Sequence, residues 1–186
     1  YAEAAENILT QARRVDEIVE HVRGYAKEKR HQGDDMAVQL LMTRAVNNFK
    51  SSSASTGVQL NLSADGGGHA VIHVEPLEAE LALVNLLKNA AQATMPNEKG
   101  QKRVDLSVHT DNHWVGFRVR DYGELCTEEE IQALSAPHGS GREGGLGIGL
   151  FLVKRIAESH GGSVSFGLAE GHGVVAELRF PRKDNA

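Results

Sequence analysis

The chain has 186 residues, 40% of them hydrophobic, which is enough for one domain of ordinary size plus an extra element around a buried core. Its formal charge of -5 comes from mixed signs spread along the sequence, so no basic face argues for nucleic acid. The single cysteine, Cys126, excludes an internal disulfide and a cysteine-built zinc site.

No apolar run approaches the roughly 20 residues of a membrane span, and "YAEAAENILT" has neither a basic n-region nor a signal-like core. The chain opens on Tyr1 without an initiator Met, which reads as a piece of something longer, with any membrane anchor outside it. Residues 1 to about 32 place Ile8, Val15 and Val22 seven apart, with Ile18 and Tyr25 on the neighbouring seam and Arg13, Arg14, Glu17, Glu20 and Arg23 on other faces. That heptad pattern predicts one helix with an apolar stripe, covered either by a partner helix in a hairpin dimer or by its own domain.

"HQGDD" breaks that helix, and Asp34 or Asp35 is placed to cap a second one over about 36–53, carrying Leu40, Leu41, Ala45, Val46 and Phe49. "VQLNLS" and "HAVIHVE" read as two strands joined by the turn "ADGGG". Pro76 opens a long helix to about Thr94, and strands follow at 103–110 and 113–120 around the tight "TDN" turn. A polar stretch over about 124–144 holds a short helix at "TEEEIQAL" with Thr127 as its cap, then a helix at about 146–160 and a final hairpin, 162–168 and 173–180. Antiparallel neighbours with helices inserted between them predict an α+β two-layer α/β sandwich, one sheet with helices on one face.

Three places carry chemistry. "GREGGLGIGL" sets Gly145, Gly147 and Gly149 at alternate positions just before a helical run. A helix N-terminus offers free N–H groups and partial positive charge, and bare backbone lets a phosphate approach, so this is an anion site or a flexible loop ending in a cap. No Gly-Lys-Ser/Thr follows and no strand precedes, which excludes a P-loop and a dinucleotide fingerprint. On the long helix, Asn85 and Asn89 are four apart and project from one face of a Leu/Ala-rich segment that has little use for Asn. They suit a hard cation with its waters, or a structural amide pair. "RVRDYG" puts Asp121 and Gly123 at a strand end, where a carboxylate can accept from a ligand amino group.

Taken in order, "NLLKNAAQA", "DYG", "GGLGIGLFLVKRIAESHGG" and "GHGVVAELRFP" resemble the catalytic ATP-binding domain of two-component sensor histidine kinases, members of the GHKL superfamily with the Bergerat fold. The resemblance covers about 35–183 and is nearest to the nitrogen-regulatory and oxygen-sensing branches, which share a basic residue at the place of Lys88 and an ending like "QATMP". It implies an ATP pocket in which Asn89 ligates Mg²⁺, with Asn85 assisting, and Asp121 accepts from the adenine amino group beside Gly123. Gly145, Gly147 and Gly149, with Leu146 and Leu150, lie along the triphosphate under a lid at about 124–144. Lys88, Gln92, His138 and Arg142 are phosphate contacts by the same resemblance.

The resemblance further implies γ-phosphoryl transfer to a histidine on a dimeric helical hairpin, then to a response-regulator receiver domain, in a homodimeric cytoplasmic protein or the cytoplasmic part of a membrane-bound sensor. Residues 1–32 are then the second helix of that hairpin, and the helix bearing the acceptor is absent. His21, in "VEHVRGYA", lacks the family's following acidic residue and downstream proline and is not the acceptor. ATPases of the superfamily carry a general-base Glu where this chain has Asn85. An amide takes no proton, which argues against hydrolysis and for transfer.

Departures from the family pattern are Leu125, where "DYGELC" replaces the second glycine of the first glycine box, a weak Phe-rich lid segment, and Val174 or Val175 in place of a threonine. A degenerate nucleotide-binding scaffold or phosphatase-type regulator is the alternative reading. His69 with His73, and His109 with His113, are four apart in strand and turn contexts, which does not place either pair on one helical face, and no third zinc ligand is suggested.

Overall fold

The computed structural model describes residues 33–64, 68–94, 102–124, 127–135 and 148–183. The chain divides into two units, Tyr1–His31 and Gln32–Ala186, and the heptad helix expected over residues 1–32 lies outside the described residues.

The second unit is a sandwich of one five-stranded sheet and a helical layer. Its strands are β1 (Asp34–Ala37), β2 (Gln59–Ala64), β3 (Val71–Val74), β4 (Arg103–Thr110), β5 (Trp114–Asp121), β6 (Ser163–Leu168) and β7 (Val174–Pro181). Its helices are α1 (Val38–Ser51), α2 (Pro76–Thr94), α3 (Glu128–Ser135) and α4 (Ile148–Ser159). The large sheet runs in the order β2-β4-β5-β7-β6, and β1 pairs with β3 in a separate two-stranded sheet. Among the described residues no helix is long and apolar enough to cross a membrane.

Period-2 alternation divides the large sheet into two faces. Val104, Leu106, Val108, Val115, Phe117, Val119, Leu178 and Phe180 are buried under the helices. Phe117 and Phe180 meet edge to face at 6.3 Å. From the helical side Leu41 and Phe49, Leu83, Leu86 and Leu87, and Leu152, Val153 and Ile156 complete one core cluster. Full burial of each such side chain contributes about 2 kcal/mol. The opposite face is open and charged, with Arg103, Asp105, His109, Arg118, Arg120, Glu177 and Arg179 at the alternate positions.

Two expectations give way here. Asp34 and Asp35 do not cap a helix: they form β1, antiparallel to β3, and α1 begins after Ala37 without a side-chain cap. Asp35 is held by His73 at 3.0 Å and by Lys183, whose hydrogen bonds keep its carboxyl below the usual range. Nor do β2 and β3 form a hairpin: β2 runs parallel to β4, from Gln59 opposite Arg103 to Ala64 opposite Val108. The alternation in "VQLNLS" identified a strand correctly, but alternation carries no information about which strand lies alongside.

The helix boundaries have visible causes. The Glu75 side chain accepts from the Glu78 N–H at 2.6 Å, capping α2 ahead of Pro76. Thr127 Oγ1 accepts from the Glu130 N–H at 3.2 Å while the Glu130 carboxylate accepts from the Thr127 N–H at 2.8 Å, the reciprocal capping box expected at "TEEE". α4 stops in a left-handed turn at Gly161 (φ 69°), with the Gly162 N–H donating to Ala157 O at 2.8 Å and the Gly161 N–H to Glu158 O at 3.1 Å.

Candidate functional site

α2 forms the floor of the site. Asn85, Asn89 and Ala93 are spaced four apart and make one stripe along it. At the near end, the Asn85 Nδ2 donates to Leu81 O at 2.8 Å, which fixes the amide and turns its oxygen outward. That oxygen lies 3.1 Å from where a Cβ on Gly149 would stand, so the first turn of α4 faces Asn85 across bare backbone. Asn89 Nδ2 lies 3.9 Å from the same point. It is buried and, among the described residues, has no hydrogen-bond partner. A buried polar atom left unmatched costs about 1–3 kcal/mol, and Arg120 Nε is the other such side-chain atom among the described residues.

At the far end of the stripe, β5 brings Asp121 to the helix-facing side of the sheet, 6% exposed. Its Oδ1 accepts from the Gly123 N–H at 2.9 Å. A Cβ on Gly123 would stand 2.5 Å from Ala93 O, so this loop lies directly on the last turns of α2. Gly173 closes over it from the β6–β7 turn: its φ is +84°, and a Cβ there would stand 2.3 Å from the Asp121 carbonyl oxygen and 2.5 Å from Oδ1. Sequence reasoning used "GHGVV" only as part of a family pattern and assigned Gly173 no role. The signal was a third glycine held against the strand-end aspartate.

Of the expected site residues, the structure therefore brings Asn85, Asn89 and Gly149 together at one end of the stripe, midway along α2, and Asp121 and Gly123 at its other end, by the last turns of the helix. Lys88 is half-buried and Gln92 exposed on α2 between those ends, and Leu150 packs against the core. Leu125, His138, Arg142, Gly145, Leu146 and Gly147 lie outside the described residues. Of the lid expected over 124–144, the described part includes α3, which lies beside β6 with Ile131 buried.

Glu80, the carboxylate nearest in sequence to Asn85 on α2, is bound to Arg44 at 2.9 Å and to the Asn48 amide at 3.2 Å on α1. The paired histidines are occupied elsewhere, His73 with Asp35 and His109 with Glu177 at 2.6 Å. Among the described residues no group of three or more His, Cys, Asp or Glu side chains is placed to hold a metal.

Comparison with known proteins follows the same lines. The chain is 27% identical over 183 residues to sporulation kinase E of Bacillus subtilis, covering 97% of this chain and 24% of that protein. It is 36% identical over 101 residues to the nitrogen regulation protein NtrY of Azorhizobium caulinodans, covering 52% of this chain and 13% of that protein. It thus spans about a quarter or less of these two relatives. Among solved structures, the nucleotide-free catalytic domain of histidine kinase ThkA superposes with a TM-score of 0.68 at 20% identity, covering 81% of this chain and 96% of that one, a likeness of fold. The family model for histidine kinase-, DNA gyrase B- and HSP90-like ATPases matches residues 74–184, from the last residue of β3 past the end of β7, and the chain belongs to that family.

Proposed function

We propose that residues 35–183 are the ATP-binding catalytic domain of a sensor histidine kinase, which delivers the γ-phosphoryl group of ATP to a histidine on a dimeric helical hairpin, for relay to a response-regulator aspartate. In this reading residues 1–32 are the second helix of that hairpin, whose other helix carries the acceptor. The observation that carries the proposal is the α2 stripe, with the Asn89 Nδ2 buried and unmatched among the described residues near the α4 N-terminus, and a buried carboxylate at Asp121 beside Ala93, four helical residues further along. That arrangement offers an acceptor for the amino group of a base at one end and oxygen ligands beside a helix N-terminus at the other.

Asn89 is the proposed Mg²⁺ ligand, assisted by Asn85. The fit rests on the donor set. With none of the described residues bonded to its Nδ2, Asn89 can turn half a revolution about its last torsion and present oxygen instead, and the Asn85 oxygen faces Gly149. Bound Mg²⁺ would neutralise charge on the phosphate oxygens. Gly145, Leu146, Gly147, Gly149 and Leu150 are proposed to follow the triphosphate, and Lys88, Gln92, His138 and Arg142 to contact phosphates.

Transfer rather than hydrolysis follows from Asn85. An amide cannot take a proton from water, and the Glu80 carboxylate is committed to Arg44 and Asn48 on α1. Titration of the chain with ATP and Mg²⁺ is expected to show binding that Asn89→Ala removes, and a folded protein that binds no nucleotide would overturn the proposal. Incubation with labelled ATP and a separately prepared acceptor hairpin is expected to label the hairpin, whereas steady phosphate release without it would indicate an ATPase.

A further inference from the structure

The residue between Asp121 and Gly123 makes its contacts on the other side of the sheet. Strand alternation sends Tyr122 to the open face of the sheet, where its ring lies between two guanidinium groups, Arg103 at 4.7 Å and Arg120 at 4.5 Å from the centroid. Its hydroxyl donates to Asp105 Oδ2 at 2.6 Å. Asp105 is in turn gripped by Arg103 through two bonds, 2.6 and 2.7 Å, and by the Asn61 amide at 3.0 Å. Burial opposes the charge on Asp105, yet the bonds from Arg103, Tyr122 and Asn61 hold its carboxyl below the usual range. The second arginine extends the cluster: Arg120 Nη2 donates to Glu170 O at 2.6 Å, in the turn that carries Gly173.

We propose that Tyr122 is a positioning residue for base recognition: clamped between Arg103 and Arg120 on the open face, it fixes the backbone on which Asp121 sits on the opposite face. The clamp reaches both sides of the aspartate. Through Tyr122 it holds the loop to Gly123, and through Arg120 it holds the β6–β7 turn whose Gly173 meets the Asp121 carbonyl. Each guanidinium is attracted to the electron-rich face of the ring, so the two contacts together oppose rotation of the strand end that carries Tyr122. This proposal rests on the nucleotide reading of Asp121 given above.

The test is the ratio of affinities of the full chain for ATP and for inosine triphosphate, which carries a keto oxygen where adenine has its amino group. A carboxylate held in place prefers the amine. Wild type is expected to favour ATP, Tyr122→Phe to keep most of that preference because the ring stays between the guanidiniums, and Tyr122→Leu to lose about tenfold of it through weaker ATP binding. If Tyr122→Leu does not fold, Asp105→Asn, which leaves the ring and removes the charge holding its hydroxyl, is expected to lower the ratio about threefold. A ratio unchanged in folded Tyr122→Leu, or in Asp105→Asn where the first variant does not fold, assigns the cluster to stability alone and overturns the proposal. Folded wild type that binds neither nucleotide overturns the nucleotide reading along with it.

Discussion

The two ends of the α2 stripe are built on opposite plans. Around Asp121 the carboxylate itself is met from within the chain: it accepts from Gly123, two glycines press backbone against it, and the next residue is clamped from the far side of the sheet, although the Arg120 Nε in that clamp is buried without a partner among the described residues. Around Asn89 it leaves a donor buried and unmatched beside bare helix backbone. In the proposed nucleotide reading, the first end is organised before the ligand arrives, which lowers the ordering cost of binding, and the second is completed by the ligand and its cation. Rigidity and incompleteness within one groove would then divide the work between selecting the nucleotide and holding it.

The same substitution at the two ends separates these plans. Gly173→Ala is expected to cost about 3 kcal/mol of stability, because its backbone is left-handed and a Cβ would meet the Asp121 carbonyl; denaturant unfolding reads the loss. Asn89→Ala is expected to weaken Mg²⁺-dependent nucleotide binding by about a hundredfold by calorimetry, while changing stability by no more than about 1 kcal/mol, since it removes an unmatched group. A stability loss like that of Gly173→Ala would erase the contrast. Gly149→Ala is expected to be nearly neutral in thermal unfolding, because crowding of the Asn85 oxygen at 3.1 Å is offset by up to about 1 kcal/mol of helix propensity.

The smallest effect is electrostatic. The Asp105 carboxyl has a lowered pKa in the fold, so its contribution is present above the unfolded value of about 3.9 and is lost as the pH falls through the folded one. Acid titration of stability should therefore steepen below about pH 4 in wild type and be shallower in Asp105→Asn. An identical acid limb in the two proteins would mean that the clamp carries no charge-dependent stability.

Much of this was legible in the sequence where a local rule decides the outcome. The bounds of β4 and the end of α2 at Thr94 coincide with expectation, and the Thr127 box and the "HGG" stop follow from capping chemistry alone. The placement of Asn85 beside Asn89 needed only helical period. What stayed hidden depended on distant partners. Asp34 and Asp35 look like caps because aspartate is poor in strands, and β1 exists through its pairing with β3 and the ion pairs of Asp35. Tyr122 reads as filler in a turn until Arg103, Arg120 and Asp105 converge on it from the open face, and Gly173 becomes part of the site only when the β6–β7 turn folds over Asp121.

The histidine of "HGG" proves to be more than a stop signal. His160 Nδ1 donates to Ile156 O at 2.8 Å, its Nε2 accepts from the Glu75 N–H at 3.0 Å, and its ring stands edge-on to Phe180 at 6.0 Å. This bolts the tail of α4 to the head of α2, while near its own head α4 sets Gly149 against the Asn85 oxygen. With Leu152, Val153 and Ile156 buried between these two points, the joint at His160 sets how far α4 slides along α2, and so sets the gap between Gly149 and the Asn85 oxygen from the far end of the helix.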